Sequence, residues 1–345
     1  MERLAVIIVN YGTPKLAIAC INSLIGARAS FAALRVIVVD GGSNDGSAEM
    51  ITQEIVAQGH QDWVELMPLP INGGFAFANN RALLKLAEDG VLPEFVALIN
   101  PDARVTTGAI EALADTLRIR PRAAAVGALL IHEDGRAQGS AFYFPTLTGE
   151  FCRGARTGLI DRLLCQPPRR IDTQTATEVP WVTGAGVMLR TEALQSVGLF
   201  DEGFFLYFEE TELMWRLRRA GWQIWHEPTA RVIHAGGAAT RIRDPDTGRA
   251  LPKRIPRYWY ESRRRYFALV GGRPYALAAG LFWLTGHALW RLRRAMSRTP
   301  EDGPISPAHD MIAYGWWLSR ADSLAAVRRL GSPVSSTPAW MQAAA

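Results

Sequence analysis

The sequence predicts an α/β fold in which a mostly parallel central sheet is flanked by helices and followed by a C-terminal helical extension. Short β-branched runs alternate with helical stretches through the first third of the chain. Three of these runs stop on polar residues, at Asn10, at Asp40 and at Asn100-Pro101-Asp102. Residues 258–298 read as continuously helical and are rich in Trp, Tyr and Arg.

In order, residues 4–9 form an apolar run, as in a strand buried on both faces. A helix is predicted near 15–24, a strand over 35–40 and a helix near 47–58. A third strand near 64–68, a helix over 76–88, a strand over 95–99 and a helix near 107–118 continue the alternation. From residue 123 strands and loops dominate, and 153–177 reads as a loop over the site. A short strand at 187–189 and a helix over 209–220, stopped by Gly221, follow. The predicted division is 1–240 as the main domain, 241–257 as a polar linker, 258–330 as the helical extension and 331–345 as a disordered tail.

The chain has 345 residues, with 48% hydrophobic and 21% charged residues, which is globular composition and supports a large core. Three cysteines without a CxxC pattern argue against a disulfide framework or a structural zinc site, and fit a reducing, cytoplasmic setting. The apolar run at 4–9 leaves no room for a signal peptide before it. The apolar stretch 275–290 falls short of the roughly 20 residues of a membrane span, so a surface-lying helix is the expected form. Residues 241–298 hold 14 Lys and Arg against 3 Asp and Glu, whereas the rest holds 24 against 30. That asymmetry calls for an anionic surface or ligand at the basic segment. The aliphatic run 276–281 favours a membrane over nucleic acid.

Ligands of open parallel sheets bind beyond the strands' carboxyl ends, so Asn10, Asp40 and Asp102 should share one crevice. Asp102 suits a metal-bound diphosphate and equally an Asx turn. Asp40, with Asn10 and Tyr11, suits a nucleobase and equally a strand-to-loop transition. Asn72-Gly73-Gly74 before a helix lets backbone approach a phosphate, as any tight turn also would. No Walker or GxGxxG pattern occurs. In 200–212 five aromatics sit among five acids, which reads as an acceptor wall with a general base at a helix start, or as a capping cluster. His234 suits a metal or a structural strand end.

Taken together, Val9-Asn10-Tyr11, Val38-Val39-Asp40, Asn72-Gly73-Gly74-Phe75-Ala76 with Asn79, Asn100-Pro101-Asp102, Gly184-Ala185, the 200–216 block and His234-Ala235-Gly236-Gly237 resemble the family 2 glycosyltransferases, which have the GT-A fold. The resemblance covers about residues 3–240. It implies a donor site at Asn10, Tyr11, Asp40, Asn72, Gly73, Gly74, Asn79, Asn100 and Asp102. It further implies Mg2+ or Mn2+ on Asp102 and His234, an acceptor site at Trp181, Gly184, Ala185, Asp201, Phe205 and Tyr207, and Glu210 as base in an inverting displacement. Glu209-Glu210-Thr211-Glu212 departs from the commoner Glu-Asp-x-Asp, so Glu209 is a second candidate base. The Phe-Asp-Glu-x-Phe-Phe wall and residues 258–264 are similar to the bacterial rhamnosyltransferase-like subgroup. This implies dTDP-L-rhamnose, a glycan or polyprenyl-diphosphate-linked acceptor, and peripheral attachment at the inner face of the plasma membrane. UDP-sugar transfer and non-catalytic sugar binding are the rival readings; a nucleotidyltransferase would need a Gly-rich basic loop where Asn10-Tyr11-Gly12-Thr13-Pro14 stands.

Overall fold

The computed structural model describes residues 3–90, 92–164, 170–236, 254–297, 304–317, 321–333 and 335–342. The first half runs β1 (Arg3–Asn10), α1 (Pro14–Ser23), β2 (Ala33–Asp40), α2 (Ser47–Ala57), β3 (Val64–Pro68), α3 (Phe75–Glu88), β4 (Phe95–Ile99), β5 (Ala103–Val105), α4 (Ala109–Ile119) and β6 (Ala123–Ile131). Next come β7 (Ala141–Phe142), α5 (Leu147–Ala155), α6 (Gly158–Leu163), β8 (Arg170–Ile171), β9 (Thr177–Glu178), β10 (Trp181–Val182) and β11 (Gly186–Arg190). The chain continues with α7 (Thr191–Val197), α8 (Glu209–Arg219), β12 (Gln223–His234), α9 (Arg257–Ser297), α10 (Pro307–Gly315) and α11 (Ala339–Gln342).

The main sheet has the order β3-β2-β1-β4-β11-β6-β12-β5. β1 to β4 pair in parallel, and β4 is buried along its whole length, as strands covered on both faces must be. β11 enters antiparallel between β4 and β6. This reversal interrupts the parallel sheet at the level of Asn100, where Ile99 pairs with Gly186. One apolar layer, with α1, α2 and α4, covers one face; another, with α3, α7 and α8, covers the other.

The stretch 153–177 is not simply a loop. Helix α5 ends at Ala155 and α6 follows. Gly154 helped to hide α5 from pattern reading because it serves a close helix crossing. A Cβ on Gly154 would lie 2.3 Å from the Trp283 carbonyl oxygen, and one on Gly286 would lie 2.1 Å from that of Phe151.

The extension begins with α9, which breaks at Gly272 (φ 81°, ψ 175°) ahead of Pro274. Its first arm is an interior element. Arg263 is fully buried against Glu150 (Nη2–Oε2 2.6 Å). Arg265 holds Asp201 (2.7 Å) and Arg264 holds Asp322 (3.0 Å). The expected linker lies outside the described residues up to 253; Arg254, at its end, pairs with Asp310. The described residues of the expected disordered tail pack back on the domain. The Ser335 carbonyl accepts from Arg81, and Trp340 Nε1 donates to the Gly73 carbonyl (2.9 Å).

Candidate active site

Parallel register sets Asn10 beside Asp40 at the ends of β1 and β2. Asn10 Nδ2 donates to Asp40 Oδ1 (2.7 Å), and the Ser43 N–H donates to Asp40 Oδ2 (2.9 Å). Both side chains are buried, so they form the floor of the crevice. Tyr11, 56% exposed, is the group of this cluster that reaches outward.

The turn before α3 is shaped by close approach. Gly74 has φ +87°, and a Cβ there would lie 2.0 Å from the Phe205 carbonyl oxygen, so only glycine fits. That carbonyl accepts the Phe75 N–H (2.9 Å). Asn72 Oδ1 accepts the Gly74 N–H (3.1 Å). Asn79 donates to the Phe75 carbonyl, and its Oδ1 is buried without a partner, an acceptor that the fold leaves unused.

Beyond β4, the Asn100 N–H donates to the Ala185 carbonyl (3.1 Å). Antiparallel pairing of β12 with β5 sets His234 opposite Ala103, and this brings His234 Nε2 to 3.3 Å from Asp102 Oδ1. His234 Nδ1 faces Gln138 Oε1 (3.0 Å), while Gln138 Nε2 lies 2.5 Å from the His234 carbonyl oxygen. This network assigns a ring proton to Nδ1, so Nε2, beside the Asp102 carboxylate, is the nitrogen the ring can offer to a metal. Two electron-pair donors so placed fit a shared divalent cation. Among the described residues no third His, Cys, Asp or Glu gathers with them. The Cys20 thiol is pushed up by burial, and secondarily by the charge of Asp102.

On the opposite side, α8 opens with Glu209 and Glu210. The preceding Tyr207 (φ 71°) and Phe208 (φ 69°) are both left-handed, a strain of about 1–3 kcal/mol each. Aromatic packing holds them: Tyr207 stacks on Tyr258 (6.1 Å between centroids) and Phe208 packs on Tyr266 (5.6 Å). Burial, then the neighbouring Glu210, raises the Glu209 carboxyl well above the ordinary range. Burial also raises Glu210, opposed by backbone N–H groups that include those of Gly184 and Thr211. The pair therefore favours the proton on Glu209 and the charge on Glu210.

Gly184-Ala185 joins the two sides. Gly184 supports Glu210 while Ala185 holds Asn100, and a Cβ on Gly184 would lie 3.5 Å from Phe75. Phe205 packs on Tyr258 and Trp340. Trp181 stacks on Phe142 (4.7 Å) and donates to the Tyr143 carbonyl. Asp201, expected to face an acceptor, is fully buried and bound by Arg265 and the N–H groups of Gly203 and Ala326. It shapes the wall from behind because its oxygens are already engaged.

Residues that sequence reading passed over include Gln138, Asn80 and Trp340. Asn80 clamps Phe200 through both of its amide atoms. None stands in a motif, and each acts across more than 90 positions of chain, so no local pattern could have marked it.

The glycosyl transferase family 2 model matches residues 5–198. The chain belongs to this family. An N-acetylglucosaminyl-diphospho-decaprenol L-rhamnosyltransferase of Mycobacterium tuberculosis is 32% identical over 222 residues, covering 61% of this chain and 69% of that relative. A pre-mycofactocin glycosyltransferase of the same organism is 28% identical, over 62% of this chain and 40% of its own. Among solved structures, a mannosyltransferase from Pyrobaculum calidifontis in complex with GDP-Man and Mn2+ is similar at a TM-score of 0.50 and 18% identity, covering 91% and 79% of the two chains. GalNAc-T7 with UDP, GalNAc and Mn2+ is similar at 0.56 and 14%, covering 92% and 55%. The GT-A fold and the family that the motifs implied are both borne out. The family model's match ends before α8 and His234, so in this family 2 glycosyltransferase it does not bear on those residues.

Proposed function

We propose that the chain transfers a sugar, with dTDP-L-rhamnose favoured, to a glycan acceptor carried on polyprenyl diphosphate, with inversion at the anomeric carbon. The observation that carries the chemistry is the Gly184-Ala185 bridge, which packs on Glu210 at one residue and holds Asn100 of the Asp102 turn at the next. The named activity of the 32% identical relative supports the choice of donor and acceptor.

In this reading Asn10 and Asp40 floor the base and ribose site, Tyr11 covers it, and the Asn72–Gly74 turn with Asn79 approaches the diphosphate. Asp102 and His234 would hold Mg2+ or Mn2+, which supplies charge neutralisation for the leaving diphosphate. Glu210 accepts the acceptor hydroxyl proton as that oxygen attacks from the face opposite the nucleotide. Glu209, protonated, keeps a second charge out of the site. Trp181, Phe205 and Tyr207 line the acceptor side. The proposed location is the cytoplasmic face of the plasma membrane, where such an acceptor is met.

The test is product analysis with dTDP-L-rhamnose, a polyprenyl-diphospho-N-acetylglucosamine and Mn2+ or Mg2+. Transfer with inverted configuration that chelation abolishes is the expected result. Turnover with a UDP-sugar instead would reassign the donor, and donor binding without any turnover would make the chain a sugar-binding protein.

A further inference from the structure

The two arms of α9 differ in what they present to solvent. The first arm spends its arginines inside the protein, on Glu150, Asp201 and Asp322. The second arm packs one face inward, through Ala276, Ala279, Gly280, Trp283, Gly286, His287 and Trp290, with the Gly154–Gly286 crossing fixing it on α5. Its opposite face is apolar and open. Leu281 is 51%, Leu292 61% and Met296 80% exposed, and Leu277 and Leu289 are also exposed. These positions, with Thr285, recur at spacings of three and four and so form one stripe about 30 Å long at 1.5 Å per residue. No charge interrupts residues 274–290, and no Asp or Glu occurs from 262 to 297. Exposed Arg273, Arg291 and Arg293 flank the stripe's two ends.

A soluble helix normally turns its polar residues outward, so an apolar outer face needs a covering partner. We propose that this face of the second arm lies in the surface of an anionic lipid bilayer, with the leucines in the acyl boundary and the arginines on the headgroups. Charge decides between the occupants. A second copy of the chain would bring like-charged arginines together, whereas an anionic leaflet complements them. Helix α9 is long and apolar enough to cross a membrane, but the break at Gly272 and the crossing on α5 keep the second arm against the domain, which favours lying in the plane. The proposal deepens the functional reading, on which its meaning for catalysis rests. Tyr258 and Tyr266 of the first arm pack on Tyr207 and Phe208, so the membrane face is joined by one helix to the residues that aim Glu210.

The experiment is co-sedimentation of the full chain with phosphatidylglycerol-rich vesicles and with pure phosphatidylcholine vesicles, without donor or acceptor. It therefore succeeds or fails independently of transfer. Binding to the anionic vesicles, released by alkaline carbonate and weakened about tenfold or more in Leu281→Glu/Leu292→Glu, is expected. Arg291→Glu/Arg293→Glu should weaken it too, and keeps the test open if the leucine variant misfolds. No binding to anionic vesicles, equal binding by the variants, or carbonate-resistant retention would overturn the proposal. So would a wild-type dimer in sedimentation equilibrium that the leucine variant turns into a monomer.

Discussion

The strand-end side of the crevice is held together by hydrogen bonds among neighbouring strand ends and one tight turn, two of them accepted by the Asp40 carboxylate, whereas the acceptor side is anchored by buried ion pairs. Asn10, Asp40 and Asn72 are set by β1, β2 and one tight turn, and their partners lie close at hand on the same strand ends. Glu210 instead depends on two left-handed residues, an aromatic stack and a helix whose arginines are neutralised inside the protein. The first side can assemble with the sheet. The second requires the extension to be in place.

The largest expected effect breaks the acceptor side chemically. Glu210→Gln should lower kcat about 10²- to 10⁴-fold with donor affinity by calorimetry unchanged; a comparable loss in Glu209→Gln alone would move the base there. The pH profile sharpens the same point. A base must be ionised, and burial raises Glu210, so the rate should fall as pH drops through a value above the roughly 4.3 of a free glutamate. In Glu209→Gln this acid limb should become a single proton step.

Next in size is the structural charge. Arg263→Ala leaves the buried Glu150 with Arg153 as its remaining cationic partner, and breaking one arm of this buried cluster should cost up to about 3 kcal/mol, read as a lower denaturation midpoint. An equal loss in Asn10→Ala would erase the contrast between the two sides. Gln138→Ala frees His234 to turn, and should weaken metal-dependent nucleotide binding about 10- to 100-fold without changing thermal stability. The smallest effect is at Trp340. Trp340→Phe removes one hydrogen bond to Gly73, worth about 1 kcal/mol, and should raise the donor KM a few-fold while leaving kcat alone.

The same contrast explains what the sequence revealed. Strand-end residues announce themselves because a β-branched run ends and a polar residue follows, so Asn10, Asp40 and Asp102 were all legible. The 200–212 block was legible as composition, but not the burial of Asp201, since its partner Arg265 is 64 positions away. The inserted β11 was readable only as a short apolar run, because its antiparallel direction is fixed by pairing with β4 and β6. Helix α5 was hidden by Gly149, whose N–H serves the Thr146 cap, and by Gly154, which trades helix propensity for contact with α9. Gln138 carried no signal at all, because its role is created by the crossing of two distant segments.

The Phe205 carbonyl accepts the Phe75 N–H and touches the one place where Gly74 has no side chain. A single peptide group of the acceptor wall thus serves as a backbone partner of the donor turn. In the proposed reading, movement of either segment on ligand binding would be passed to the other through this contact, and thermodynamic reciprocity would then make the two affinities change by the same factor. Under that proposal the two substrates would be linked by one peptide group before they share a bond.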